Sequence, residues 1–400
     1  MNLSVAGISR GRRVASDGRA SVCFVSPFVY PIATQNRAAG FAGGAEVQQH
    51  FIARGLVEAG YRVSVLSEDF GQPDEIDLDG LRFIKIRQQG PILPVLRYIH
   101  PRLTSAWSAM RRADADIYYQ RGAGAVTCVA GLFARTHGRR FVYAAAHDLD
   151  LDKPRTRELM RGRGGWRDRQ LYRTGLRLAD AIAVQHPGQA RLCRQWYGRE
   201  AVWLPSGYRV IASPGLADPD GVVLWVSVLR RWKRPELFID LARRLPHLSF
   251  RMIGGASTAI GEVGAQDFYH EMESRARALP NLEFMGFLPF HEAEHHFSQA
   301  RLFVNTSESE GFPNTFLQSW ARGVPTVSFV DCGARDADGP VGGVVGTLPE
   351  MQEAVARLCG NQNIWVAESG RCQRYFQATH DLPSVIARYR VLFGQLGAEV

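Results

Sequence analysis

Short apolar runs separated by helical patterns recur along this chain in two successive sets, and that alternation restricts the fold more than any other feature. In the first set SVCFVS (21–26), YRVSVLS (61–67), LRFIKI (81–86), DIYYQ (116–120), RFVYAAA (140–146), AIAVQ (181–185) and AVWLP (201–205) read as buried strands. Between Val47 and Ala59, the residues Phe51, Ile52, Gly55, Leu56 and Ala59 recur at helical spacing, with Gly60 as the stop. Residues 206–220 collect Ser, Gly, Pro and Asp without periodicity and read as a linker. The alternation then restarts with GVVLWVSVL (221–229), a helix over Pro235–Leu245, LSFRMIGG (248–255), NLEFMGF (281–287), RLFVNTS (301–307) and VPTVSFV (324–330). Strands alternating with helices build mostly parallel, doubly wound sheets. The expected fold class is therefore α/β, with two Rossmann-like domains over 21–205 and 221–383 facing across a cleft. Ligands in such sheets bind at the carboxyl ends of the strands.

Composition supports two soluble cores. Four hundred residues exceed one ordinary domain, and 46% hydrophobic with 22% charged residues is globular usage. No apolar run reaches the length of a membrane span. The first twenty residues carry Arg10, Arg12, Arg13 and Arg19 without the apolar stretch of a secretory signal, and read as a disordered basic tail. Cys23, Cys128, Cys193, Cys332, Cys359 and Cys372 show neither close pairing nor metal-ligand spacing, which fits free thiols in a reducing cytoplasm. The net charge of +9 is almost wholly arginine, since Lys85, Lys153 and Lys233 are the only lysines. Such a balance favours anionic partners: nucleic acid, lipid head groups or phosphorylated substrates.

The chemistry-bearing stretches sit where strands give way to helices. SESEGFPNTFLQSW (307–320) places Glu310 before a Gly-Phe-Pro turn, with Pro313 suited to a first helical turn. A helical wheel puts Phe316, Leu317, Trp320 and Ala321 on the core face and Asn314, Gln318 and Arg322 opposite. Free N–H groups at that helix start would hold a phosphate, and Glu310 could accept from sugar hydroxyls. The competing reading is a solvated loop acid and a surface amide. In LRRWKRPELF (229–238), Lys233 precedes the helix that Pro235 opens, a placement able to neutralise a diphosphate. Arg230, Arg231 and Arg234 either assist or are solvated. Gly43 and Gly44 in FAGGAEVQQHF permit close backbone approach before a helix, or simply form its cap.

His147 ends a strand whose carboxyl edge should meet the same cleft; otherwise it packs or caps. Asp148, Asp150 and Asp152 have the spacing of a metal-binding Asp-x-Asp, as do Asp336 and Asp338, and any acidic loop produces that pattern. A nicotinamide site is disfavoured, because Thr127 stands where the third glycine after Gly122 and Gly124 belongs. There is no phosphate loop of the Walker type and no nucleophile elbow. Arg169, Arg173 and Arg177 repeat every four residues opposite Leu171, Gly175 and Leu178, preceded by Arg155, Arg157, Arg161 and Arg163. That ridge is either a solvated helix face or a contact for an anionic membrane at the inner face of the cell. PILPVLRYIHPRLTSAWSAM (91–110), with Trp107, is either an interfacial element or core.

Together GGAE (43–46), His147, ADAIAVQ, LWVSVLRRWKRPELF, NLEFMGFLP and above all NTSESEGFPNTFLQSWARGVPTVSF resemble the retaining family 4 glycosyltransferases of GT-B fold, over nearly the whole chain. The resemblance implies a nucleoside diphosphate sugar donor, UDP- or GDP-linked, bound mainly by the second domain. It implies a glycan or lipid-linked acceptor held mainly by the first, no cofactor or catalytic metal, and a final helix (384–400) packing back on the first domain. By the same resemblance Glu310 contacts the donor sugar, and Gly311, Phe312, Pro313, Asn314 and Thr315 bind sugar and diphosphate. Lys233 takes the diphosphate, Gly286 and Phe287 touch the base, Gly43 and Gly44 crowd the phosphates, and His147 lies near the reacting sugar. Two positions depart from the family pattern. Ser227-Val228 replaces the usual Gly-Arg, with Arg230 or Arg231 as substitutes, and Gln318 replaces a glutamate that holds the ribose. An amide can still accept from one hydroxyl and donate to another.

Overall fold

The computed structural model describes residues 19–34, 43–86, 102–159, 165–209, 218–257 and 263–400. It divides into two compact units, Met1–Gly207 with Leu382–Val400, and Tyr208–Asp381. The first contains strands β1 (Ser21–Val25), β2 (Arg62–Ser67), β3 (Glu75–Leu78), β4 (Leu81–Lys85), β5 (Ile117–Arg121), β6 (Arg140–Ala144), β7 (Ala181–Val184) and β8 (Val202–Trp203). They form one sheet of order β3-β4-β2-β1-β5-β6-β7-β8, parallel except for the β3–β4 pair. Helices α1 (Tyr30–Ala33), α2 (Gly44–Glu58), α3 (Arg102–Ala113), α4 (Val126–Thr136), α5 (Asp148–Leu151), α6 (Lys153–Leu159), α7 (Gly165–Leu178) and α8 (Pro187–Tyr197) connect them. All five residues of β1 are buried, as expected of a parallel strand covered on both faces.

Close helix packing in this unit rests on glycine. A Cβ added to Gly175 of α7 would lie 2.5 Å from the Thr127 backbone at the start of α4. One added to Gly131 would lie 2.8 Å from Leu178, so the two helices touch at both places. Trp107 of α3 is partly buried, stacks edge-on against Phe133 at 5.0 Å and packs against the core, so the described end of the 91–110 stretch is structural. Residues 87–101 lie outside the described residues, as do 1–18 of the expected tail and 210–217 of the expected linker. The start of that linker is fixed rather than loose. Gly207 exchanges two hydrogen bonds with the Gln48 side chain, at 2.9 and 3.0 Å, and Tyr208 is buried.

The second unit contains β9 (Val222–Val226), β10 (Phe250–Ile253), β11 (Leu282–Gly286), β12 (Ala300–Asn305), β13 (Thr326–Ser328), β14 (Arg335–Asp336), β15 (Gly339–Pro340) and β16 (Gly343–Val344). The main sheet has order β11-β10-β9-β12-β13-β16, with parallel pairing throughout, and β14–β15 is a separate hairpin. Helices α9 (Pro235–Arg244), α10 (Ala265–Arg277), α11 (Phe290–Ser298), α12 (Asn314–Trp320), α13 (Leu348–Gly360) and α14 (Gln362–Thr379) flank it. Trp225, Phe238, Phe250, Met272 and Leu302 lie in its core. The last helix, α15 (Leu382–Gln395), belongs to the first unit, where the absent Cβ of Gly55 on α2 makes room for Ile386.

Several strands are shorter than the apolar runs that announce them. The run 221–229 becomes β9 over five residues, and 324–330 becomes β13 over three. Pairing ends where the chain must turn out of the sheet, so Val228 lies beyond β9 and is 42% exposed. The antiparallel edge strand β3, Glu-Ile-Asp-Leu, is a short polar/apolar alternation rather than an apolar run, and the two-residue strands β14 and β15 are too short to be marked by hydropathy.

Candidate active site in the second unit

The order of the second sheet reverses at β9, whose neighbours are β10 on one side and β12 on the other. Chains leaving the carboxyl ends of β9 and β12 therefore diverge and leave a crevice, the place where open α/β sheets bind ligands. The β9 exit carries Arg230–Lys233 and the β12 exit carries Ser307–Pro313. The fold thus brings two distant motifs to one point.

Four contacts stitch the exits together. Thr306 accepts from the indole N–H of Trp225 at 3.0 Å and donates to the Lys233 carbonyl at 2.7 Å. The Glu308 N–H donates to the Trp232 carbonyl at 2.9 Å. Lys233 itself closes on Glu310, the ammonium donating to carboxylate Oε1, and it also lies 4.1 Å above the Trp232 ring. Both side chains of the ion pair are mostly buried. Burial pushes the Lys233 ammonium below its ordinary value; Glu310 opposes that shift and the neighbouring Arg230 charge adds to it. Ser307 Oγ donates to Glu310 Oε1 at 2.7 Å, and Asn305 Nδ2 approaches the same oxygen at 3.5 Å. Among the described residues every hydrogen bond to this carboxylate falls on Oε1, which leaves Oε2 to accept from a ligand.

The basic turn separates into distinct roles. Arg230 stays at the crevice, its Nε donating to Ser257 Oγ at 2.9 Å. Arg231 instead lies 4.8 Å above the Phe268 ring of α10. Arg234 stacks 4.8 Å above Phe329 and has φ 50°, a left-handed conformation.

Gly311, Phe312 and Pro313 are buried, while Asn314 and Thr315 are half-buried at the start of α12. Phe312 packs against His380 at 4.6 Å and edge-on to Trp320 at 6.0 Å, which holds the turn. Gln318 requires a correction. The helical wheel places it with Arg322 on a polar outer face, yet the two are 4% and 2% exposed. α12 is interior on both faces. Arg322 tolerates this because Glu294 of α11 pairs with it at 3.4 Å, and it donates to Tyr208 Oη and the Gln318 carbonyl at 3.2 and 3.0 Å. Gly286 ends β11 at φ +67°, and the exposed Phe287 ring lies over Gly255, where a Cβ would come within 2.9 Å of the Phe287 side chain.

In the first unit His147 follows β6 and is the N-cap of α5. The Leu149 N–H donates to its Nδ1 at 3.1 Å, while Asp150 accepts from the Ala146 and His147 N–H groups at 2.7 and 3.1 Å. An accepting Nδ1 places the proton of a neutral ring on Nε2, which is then a donor. Asp148 accepts from His186 and Gln189 at 2.9 and 3.0 Å, and Asp152 accepts from the Arg155 N–H at 3.4 Å. The alternating aspartates are thus engaged in caps and a buried cluster. Gly43 is an extended N-cap (φ −79°) and Gly44 is the first residue of α2, so neither is required for backbone conformation. Arg169 and Arg173 are half-buried on α7 and Arg177 is exposed; the Arg157 side chain, Arg161 and Arg163 lie outside the described residues. The sequence gives no sign that Thr306, Ser307 and Trp232 join the site, because their contacts exist only once β9 and β12 are neighbours.

Comparison with known proteins agrees with this geometry. The family described as Glycosyl transferases group 1 matches residues 220–361, and the Glycosyl transferase 4-like domain matches 43–207. Comparison with curated protein sequences gave no match. Among solved structures, sucrose-phosphate synthase from Thermosynechococcus elongatus superposes with a TM-score of 0.72 at 16% identity, covering 95% of this chain and 100% of that one. HepE from Anabaena, solved with UDP and glucose, gives 0.69 at 16% identity over 93% of this chain and 99% of its own. The catalytic domain of starch synthase IV from Arabidopsis thaliana, bound to ADP and acarbose, gives 0.64 at 12% identity over 94% and 99%. At these identities the likeness is one of fold: two Rossmann-like parallel-sheet domains of the GT-B class.

Proposed function

The chain belongs to the group 1 glycosyltransferases of GT-B fold, and from that premise we propose that it moves a hexose from a nucleoside diphosphate sugar to a glycan or lipid-linked acceptor with retention of anomeric configuration and without a metal. The observation that carries this reading is the Lys233–Glu310 pair at the β9/β12 switch point. On donor binding the diphosphate takes Lys233 as its counter-ion, with Arg230 beside it. Glu310 then accepts from the sugar hydroxyls, Phe287 lies against the base, and Gln318 bonds the ribose. Transfer is a front-face substitution. The acceptor oxygen bonds to the anomeric carbon, the bond from that carbon to the β-phosphate oxygen breaks, and the acceptor proton passes to a donor phosphate oxygen. The protein's part is electrostatic, since Lys233 stabilises charge that grows on the leaving diphosphate. The first unit takes the acceptor, and His147 Nε2–H is a donor available there. The nucleotides held by HepE and starch synthase IV, UDP and ADP, support a nucleoside diphosphate donor. The arginine excess favours an acceptor of the kind used in cell-surface polysaccharide synthesis.

Val228, exposed where the family usually has arginine, favours a second reading, a nucleotide-sugar-binding protein without turnover. Release of free sugar and nucleoside diphosphate by the purified protein, measured over a panel of donors, decides between them. Slow hydrolysis abolished in Glu310→Ala is the expected result, whereas donor binding with no hydrolysis and no transfer to any acceptor supports the second reading.

A further inference from the structure

The first unit has a basic cavity at the edge of its sheet opposite His147. Its volume is about 200 Å³, and Arg135, Arg139, Arg140, Arg177 and Asp180 line it. Arg140 opens β6 and Asp180 immediately precedes β7, so the cavity lies at the amino ends of these strands. Roughly 13 Å of β6 separates it from the turn that carries His147.

The charges within it are unequally compensated. Arg139 pairs with Asp114 and Asp116 at 2.5 and 3.2 Å, and Arg140 pairs with Asp180 at 3.1 Å. Asp180 also accepts from the Phe141 N–H at 2.8 Å. The exposed side chains of Arg135 and Arg177 have no hydrogen-bond or ion-pair partner among the described residues. They stand in the last turns of α4 and α7, where a basic side chain ordinarily serves the helix end. Here those ends are already served. Arg199 donates to the Leu176 and Ala179 carbonyls at 2.9 and 2.8 Å, and the His137 and Arg139 N–H groups close the end of α4 on Phe133 and Ala134 at 3.0 and 2.7 Å. The glycine contacts at Gly131 and Gly175 bring the two helices together and so place these arginines on one cavity.

We propose that this cavity binds a phosphate group, with Arg135 and Arg177 as its counter-ions, separately from the sugar-transfer site. A phosphate fits better than a carboxylate, because two guanidinium groups match its double charge and can each donate in fork geometry. The group belongs either to a small soluble phosphate or to a phospholipid headgroup.

The test uses the full chain in the Lys233→Ala background, which weakens phosphate binding at the transfer site. Pyrophosphate binding is measured by calorimetry, and cosedimentation is measured with vesicles of phosphatidylglycerol in phosphatidylcholine. The Arg135→Ala/Arg177→Ala variant should weaken one or both by roughly tenfold or more, with thermal unfolding unchanged. Loss of pyrophosphate binding identifies a soluble ligand, and loss of vesicle binding alone identifies a headgroup. Should the double variant unfold, the single Arg177→Glu substitution at an exposed position decides in the same way. Binding of both probes unaltered by the substitutions, or no binding by the parent protein, overturns the proposal.

Discussion

The carboxyl edges of the two sheets are alike in topology and differ in what their polar side chains bond to. In the second unit Lys233 and Glu310 meet across the β9/β12 crevice and are each other's main partner, an arrangement that a charged ligand can enter by exchange. In the first unit His147, Asp148 and Asp150 are committed to backbone caps and to His186 and Gln189. Their removal acts on the turn before it acts on any ligand. At the same edge of the fold the second unit therefore holds a pair able to exchange partners, whereas the first holds His147, whose Nδ1 keeps the turn and whose Nε2 has no hydrogen bond among the described residues.

That division can be broken by substitution. The largest effect is expected for Glu310→Ala, which should lower transfer by roughly two orders of magnitude or more while the fold persists; steady-state kinetics with a far-ultraviolet spectrum checks both parts. Lys233→Met should cost about 1–3 kcal/mol of stability as well as donor affinity, because Glu310 loses its charge partner in a mostly buried place. Denaturant unfolding of Lys233→Met/Glu310→Gln should recover much of that stability and none of the activity. The contribution of Lys233 also has a pH signature. Its ammonium is held below the ordinary lysine range by burial, so donor affinity should decline on the alkaline side before an ordinary lysine would lose its proton. In Lys233→Met that limb should vanish.

Smaller effects belong to the first unit and to α12. His147→Ala removes a cap and should cost about 1 kcal/mol of stability. His147→Asn restores a capping side chain, so any deficit in turnover that persists in it comes from loss of the imidazole rather than of the cap. Gln318→Ala should raise the donor KM about fivefold, the worth of one neutral hydrogen bond, with kcat little changed. A collapse of kcat at constant KM would contradict the ribose role.

The two-sheet architecture is legible in the sequence because parallel strands buried on both faces must be continuous apolar runs. Glu310 and Lys233 are legible because each sits in a contiguous motif at a strand end. What escapes is set by tertiary partners. Gln318 and Arg322 look like an outer helical face, yet both are buried, and the Glu294 carboxylate on another helix compensates the Arg322 charge. Arg231 resembles Arg230 in sequence, yet the Phe268 ring draws it away from the crevice. Thr306 gains its role solely from the reversal of strand order at β9.

The account rests on Lys233 and Glu310 forming the heart of a nucleoside diphosphate sugar site. Calorimetric titration of UDP- and GDP-sugars into the wild-type protein and Lys233→Met tests this most directly. The prediction is saturable binding of at least one donor, weakened roughly tenfold or more by the substitution. Equal affinity in the two proteins, or no binding of any such donor to the wild type, would contradict it.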